Sequence, residues 1–250
     1  MISRRHLIQT GALGSGLLLT GCDRLNDNTS WRSMLEDMGS LHHKAQRLLI
    51  ARNALAREYT EAQMSPNFRV NGSTEVATAD YRAHQAKNFS DWTLRVDGLV
   101  KNPLQLTMAS LQAMPQRSQI TRHDCVEGWS AIGKWQGPQL GTVLKQAGLL
   151  PAARFLVFHC ADILDGANYY ESIDLIDGFH PQTILAWRMN DMPLTEGHGA
   201  PIRLRVERQL GYKQAKYVMR IEAKDTLAGL YGGKGGLWED RSGYQWYAGI

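Results

Sequence analysis

Apolar residues between positions 31 and 59 fall at Trp31, Leu35, Met38, Leu41, Ala45, Leu48, Leu55 and Tyr59, in steps of three, four and seven. That is the period of an amphipathic helix. Ser65-Pro66 is its expected stop. Beyond Asn67 the pattern shortens into β-like runs broken by Gly and Pro. Residues 92–96 alternate as a half-buried strand that Asp97-Gly98 turns. Residues 106–114 predict a short helix ahead of Pro115, 118–125 a polar strand, and 139–147 a helix ended by Gly148. The run 155–158 is apolar throughout and predicts a central strand, with further strands at 169–173, 184–189 and 202–206. Strands and helices do not alternate regularly. This argues against a doubly wound parallel sheet and predicts a mixed α+β domain with no internal repeat.

The 250 residues are 43% apolar and 21% charged, which excludes a disordered chain, a collagen-like repeat and a coiled coil. The formal charge is +4. The first 21 residues hold Arg4 and Arg5 and no acid, leaving 26 basic against 24 acidic side chains. That excess is too weak to argue for nucleic acid as a partner. Arg4-Arg5 precede a Gly-rich apolar stretch too short to span a bilayer, the profile of an export signal over residues 1–21. Ser3-Arg4-Arg5 with His6-Leu7-Ile8 resembles a twin-arginine signal, and Leu19-Thr20-Gly21-Cys22 resembles a lipobox. The expected organisation is therefore a signal over 1–21, a tether and helix over 22–66, and a domain over 67–250. The expected location is the periplasm, tethered to the inner membrane through a lipid on Cys22.

Two other cysteines remain. One reading is a structural disulfide between Cys125 and Cys160. The surroundings favour another. Cys125 follows Arg122 and His123 and precedes Gly128, so it sits in a loop where positive neighbours favour the thiolate, a soft ligand for a transition metal. Cys160 follows the apolar run and reads as a buried, less reactive thiol. A second constellation is basic: Arg203, Arg205, Arg208, Lys213, Lys216 and Arg220 against one acid, Glu207. On a strand, Ile202, Leu204 and Val206 face the core while Arg203 and Arg205 share the other face. Gly211-Tyr212 then turns Lys213 and Lys216 toward the same region. Such a cluster suits phosphate or another dense anion; the competing reading is a solvated strand face. Gly128-Trp129-Ser130-Ala131-Ile132 misses the nucleophile-elbow glycine, and a hydrolase acting through Ser130 would rely on His123 as its base. The Gly232–Gly236 run around Lys234 has no following Ser or Thr and is no phosphate loop. His159, Cys160 and Asp162 have ligand chemistry but alternate across a strand, which argues against zinc.

Arg122-His123-Asp124-Cys125-Val126-Glu127-Gly128-Trp129, followed by His198-Gly199-Ala200-Pro201-Ile202-Arg203 and Gly211-Tyr212-Lys213, resembles the sulfite oxidase family of molybdopterin enzymes, especially its small bacterial periplasmic members. The resemblance covers residues 68–250. It implies that family's mixed α+β fold, and molybdenum held by molybdopterin without an attached nucleotide. Carried over by motif, Cys125 ligates molybdenum; His198 and Arg203 hold the pterin; Lys213 and Lys216 meet its phosphate. Arg69 and Asn71 touch the pterin, and Tyr244 and Tyr247 lie on the substrate side. Arg122 and Arg188 are candidate substrate-anion ligands. The resemblance further implies oxygen-atom transfer to or from a small sulfur compound, a sulfoxide or sulfite. No haem or dimerisation segment is recognisable, so a monomer is expected, with electrons exchanged with a periplasmic cytochrome or a membrane redox partner. The alternative is a non-catalytic binding module of the same fold.

Overall fold

The computed structural model describes residues 29–250, and the address segment 1–22 lies outside them. The chain divides into a unit ending at Ile50 and a compact body, Ala51–Ile250. In the first, α1 spans Thr29–Leu49 and stops short of the periodicity's prediction, because Leu55 and Tyr59 are not helical. The reason is a tertiary override of local preference. The Gln182 amide grips Ala56 from both sides, accepting from its N–H (2.8 Å) and donating to its carbonyl (2.9 Å). Tyr59 N–H donates to Ile120 (2.8 Å), and Arg117 pairs with Glu58. Extended chain laid along a sheet edge thus satisfies the backbone groups a helix would pair internally. Among the described residues no helix is long and apolar enough to cross a membrane.

The body contains α2 (Ala79–Ala86), α3 (Met108–Ala113), α4 (Leu140–Ala147), α5 (Leu175–Gly178), α6 (Leu237–Ser242) and eleven strands, a mixed α+β architecture. Strands β1 (Thr93–Gly98), β2 (Leu104–Thr107), β5 (Phe155–Leu164), β6 (Ala167–Asp174) and β11 (Val218–Lys224) form one sheet in the order β2-β1-β11-β5-β6. Only β1 and β11 run parallel. The apolar run 155–158 is interior, but the middle strand is β11. Gly98 has φ +82°, and a Cβ there would lie 2.3 Å from the Ala223 carbonyl oxygen, so only glycine permits this approach of β1 to β11. Helix α4 buries Leu140, Val143, Leu144 and Ala147 in the same core as Leu156, Phe158 and Ile221. Each of the larger side chains contributes ~1.5–3 kcal/mol by leaving water. Gly148 closes the helix in the left-handed region, as its sequence position predicts.

A second, antiparallel sheet has the order β3-β4-β8-β9, from β3 (Gln116–Asp124), β4 (Ser130–Pro138), β8 (Arg188–Met189) and β9 (Met192–Pro193). The run 184–189 is two strands rather than one: β7 (Ile184–Ala186) pairs with β10 (Arg203–Arg205), whereas β8 pairs with β4. Trp135, Ile184, Ala186, Met189 and Leu194 form a smaller core around them.

Candidate active site

A cavity of about 360 Å³ is bounded by the segment 68–73, the end of β3, the end of β5, the turn around Gly211 and residues Trp238 and Tyr244. Strand β3 ends at Asp124, and the chain turns through Cys125–Gly128. Cys125 N–H donates to Trp129 (2.9 Å) and Gly128 N–H to Cys125 (3.0 Å), with Gly128 at φ +86°. The turn puts the Cys125 sulfur on the cavity wall, where Asn71 Nδ2 donates to it at 3.0 Å. Cys125 and Cys160 are both free, which removes the disulfide reading. The expected electrostatic help for the thiolate is also absent. Arg122 turns outward to pair with Asp124, and His123 is driven well below its usual range, by burial first and then by Arg205. Burial raises the Cys125 thiol pKa. A metal ion held by this sulfur would supply the missing positive charge itself, since coordination deprotonates a thiol.

Strand β10 alternates as predicted, with Ile202, Leu204 and Val206 in the core. Arg203 and Arg205 are not solvated: both are buried over the Trp135 ring, at 5.1 and 4.2 Å. Arg205 has a carboxylate partner in Glu207. Arg203 has none. It donates to the carbonyls of His198 (3.1 Å) and Gln214 (3.2 Å), and its Nε is buried without a hydrogen-bond partner. Lys216 donates to the carbonyls of Asn71 (2.7 Å), Gly197 (2.9 Å) and Ser73. Burial first, then Arg205, lowers the Arg203 pKa to about 9; burial, then Arg203, lowers that of Lys216 to about 7. Two desolvated cations facing one cavity and held by neutral oxygens make a site for a dense anion.

A pH dependence follows. Lys216 titrates at its ordinary 10.5 in the unfolded chain and at about 7 in the folded apoprotein. Between those values the unfolded state binds more protons, so apoprotein stability rises with pH. Thermal denaturation from about pH 7 to 9.5 is expected to show Tm climbing, with the slope reduced in Lys216→Met.

Lys213 is not brought to this cavity. Its ammonium is fully buried between Glu171 and Glu239 (2.7 Å to the latter), so the phosphate role expected for it has no geometric support. Burial would lower its pKa, but the two carboxylates outweigh that and raise it. Tyr247 is buried and does not line the cavity, whereas Tyr244 does, in contact with Tyr212 and Trp238. Arg69 lies over the Trp129 ring (5.7 Å), and His198 Nε2 sits 3.2 Å from the Phe68 carbonyl, both on the cavity. Arg122 and Arg188 lie off it, the latter bonded to the Asp191 carbonyl. Ser130 is hydrogen-bonded to Asp124, not to His123. His159 pairs with Glu222, and no metal-ligand cluster exists among the described residues.

The sequence reading missed Tyr169, Tyr212, Gln214 and Trp238 as cavity residues and placed Asp162 in a different constellation. The Gly211-Tyr212 turn was the one signal pointing to them. Molybdopterin fits this lining. Buried Asp162 Oδ1 and Gln214 Oε1 lack hydrogen-bond partners and suit pterin N–H groups; Arg203 Nε and the two unpaired cations suit its oxygens and phosphate; the Cys125 sulfur suits the metal. Asn71 links the two ends, its amide on the sulfur and its carbonyl on Lys216.

Comparison with known proteins agrees with this chemistry. Residues 81–229 match the oxidoreductase molybdopterin binding domain. The chain is 37% identical, over 99% of its length and 88% of the relative's, to a putative protein-methionine-sulfoxide reductase subunit, YedZ1, of Azospira oryzae. It is 31% identical to the protein-methionine-sulfoxide reductase catalytic subunit MsrP of Campylobacter jejuni, over 55% of this chain and 51% of that protein. The sulfane dehydrogenase SoxCD of Paracoccus pantotrophus shares the fold, with a TM-score of 0.52 and 22% identity over 61% of this chain and 41% of that one.

Proposed function

This chain belongs to the oxidoreductase molybdopterin binding family, and on that premise we propose that it reduces methionine sulfoxide in proteins, with the cofactor seated in the cavity beside Cys125. It is a molybdenum-dependent enzyme of the sulfite oxidase type. The observation that carries the site assignment is a buried sulfur on the same cavity wall as two desolvated cations, Arg203 and Lys216, neither of which has an ion-pair partner within 4 Å among the described residues.

In this reading Cys125 ligates the metal. His198 and Arg203 hold the pterin with Arg69 and Asn71, and Lys216 meets the phosphate. The bound group supplies a two-electron centre that exchanges an oxygen atom with the substrate. The sulfoxide gains two electrons and two protons and leaves as thioether and water. Trp129, Tyr212, Trp238 and Tyr244 give the cavity an aromatic wall that suits a methionine thioether and displaces water from it. Electrons come from a separate carrier, a periplasmic cytochrome or a membrane redox partner. The enzyme acts as a monomer exported by residues 1–21 and tethered through Cys22. Segment 22–66 is tether and helix and 67–250 the catalytic domain.

The test uses protein purified from a molybdenum-replete, cofactor-competent host. It is expected to carry about one molybdenum and one nucleotide-free pterin per chain, and to oxidise reduced viologen dye when given a methionine-sulfoxide-containing protein. A metal-loaded protein inert toward every sulfoxide, yet oxidising sulfite, would reverse the assigned direction. The absence of molybdenum and pterin would remove the cofactor from this cavity.

A further inference from the structure

Arg205 is fully buried, stacked on Trp135 and clamped by Glu207 through Nε (2.9 Å) and Nη2 (2.6 Å). Glu207 is held in turn by Gln119 Nε2 at 2.8 Å. The free end of the guanidinium fork, Nη1, reaches His123 Nδ1 at 3.1 Å. A guanidinium can only donate. Nδ1 of His123 is therefore the acceptor, and the ring proton resides on Nε2. The ring is fixed by Phe68 and Trp129, with centroids at 5.7 and 5.5 Å. Nε2 lies against Gly211, where a Cβ would come within 2.4 Å of it, and the Gln214 side chain, itself on the cavity, faces the ring as its protein partner until a ligand takes that place. Both His123 and Gly211 line the cavity.

We propose that His123 is a cofactor-binding residue whose Nε2–H donates to an acceptor atom of the pterin, a ring nitrogen or carbonyl oxygen, and that Arg205 is the positioning residue that fixes this tautomer. The proposal rests on the cofactor occupying this cavity. It adds a neutral, rigid donor to the charged ones already described. It also accounts for a carboxylate-satisfied arginine buried behind the site: the pair orients His123 rather than binding ligand. Gly211 belongs to the same device, since any side chain there would displace the ring.

The experiment has two parts. In ¹⁵N-labelled apoprotein, long-range ¹H–¹⁵N spectra, with His123 signals assigned by comparison with His123→Gln, are expected to show a protonated Nε2 and a bare Nδ1. Arg205→Lys, which keeps a cation for Glu207 but shortens the fork, is expected to shift that pattern toward a tautomer mixture. A wild-type ring protonated at Nδ1 overturns the proposal. In protein loaded in the cell, pterin and molybdenum per chain are measured after dialysis. His123→Leu is expected to retain ~10–100-fold less than wild type, whereas His123→Gln, whose amide still donates, stays within about threefold. Equal retention by wild type and His123→Leu sinks the role of His123 while leaving the cavity assignment standing; a wild type that holds neither pterin nor metal sinks the cavity assignment.

Discussion

Cys125→Ser is expected to lower turnover of methionine sulfoxide by more than ~100-fold, beyond the ~10–100-fold typical of losing a contact that merely supports a metal ligand. The thiolate is a soft donor, and the serine hydroxyl that would replace it is harder and stays protonated at neutral pH. The substitution also takes away the sulfur that accepts from Asn71 Nδ2, which points straight at it. The fold has little stake in the exchange, because the side chain is small and sits on a cavity wall. Apoprotein Tm should therefore change by only a few degrees while kcat collapses and the Mo(V) electron paramagnetic resonance signal changes. Pterin held through Arg203 and Lys216 should remain measurable. Undiminished kcat in Cys125→Ser would show that the sulfur is not a ligand.

Lys213→Met is expected to do the opposite: a large loss of stability that the cavity itself does not explain. Among the described residues its ammonium is the one cation between the buried carboxylates of Glu171 and Glu239, each with one oxygen that has no hydrogen-bond partner. Removing one member of a buried ionic group costs ~3–5 kcal/mol, because the remaining charge is stranded. For a body of this size that corresponds to a fall in Tm of roughly 6–20 °C. The deficit should shrink as pH falls. Burial, and then Glu239, hold the Glu171 pKa well above its ordinary value, so above pH 4.5 the folded state binds more protons than the unfolded one. Stability attributable to this group therefore falls as pH rises, and acid relieves a variant that must carry two unpaired carboxyls. Urea denaturation at about pH 5 and 8 gives the comparison. Lys216→Met provides the contrast: it removes a desolvated cation with no carboxylate, so the apoprotein should lose no more than ~1.5 kcal/mol while retention of the cofactor drops.

The two lysines also mark how far a sequence can be read. The Gly211-Tyr212 turn announces that the chain reverses, but not which of Lys213 and Lys216 points into the cavity. That depends on Glu171 and Glu239, which lie far away in sequence. That Cys125, Arg203 and His198 share one cavity is legible in the sequence because each sits in a contiguous motif whose local geometry fixes its direction. Strand β4 escaped because its inward positions are Ala131, Gly133, Trp135 and Gly137, too small on average to register as an apolar stripe. Strand β11 escaped for another reason: a register shift between Val218 and Arg220 breaks the two-residue alternation. The helix was overextended because Leu55 and Tyr59 happen to continue its period, while the groups that pull that stretch straight, Gln182 and Ile120, are distant. His123 could be seen as a neighbour of Cys125, but its orientation depends on Arg205, contributed by a different sheet.

Asn71 grips a sulfur with its amide and an ammonium with its own carbonyl. One residue, through its side-chain amide and its main-chain carbonyl, thus connects the sulfur and the ammonium across the cavity. In the proposed cofactor-bound state, a phosphate on Lys216 and a metal on Cys125 would thus meet the two ends of one residue. Tail and head of such a ligand would then be tied through Asn71 rather than held independently.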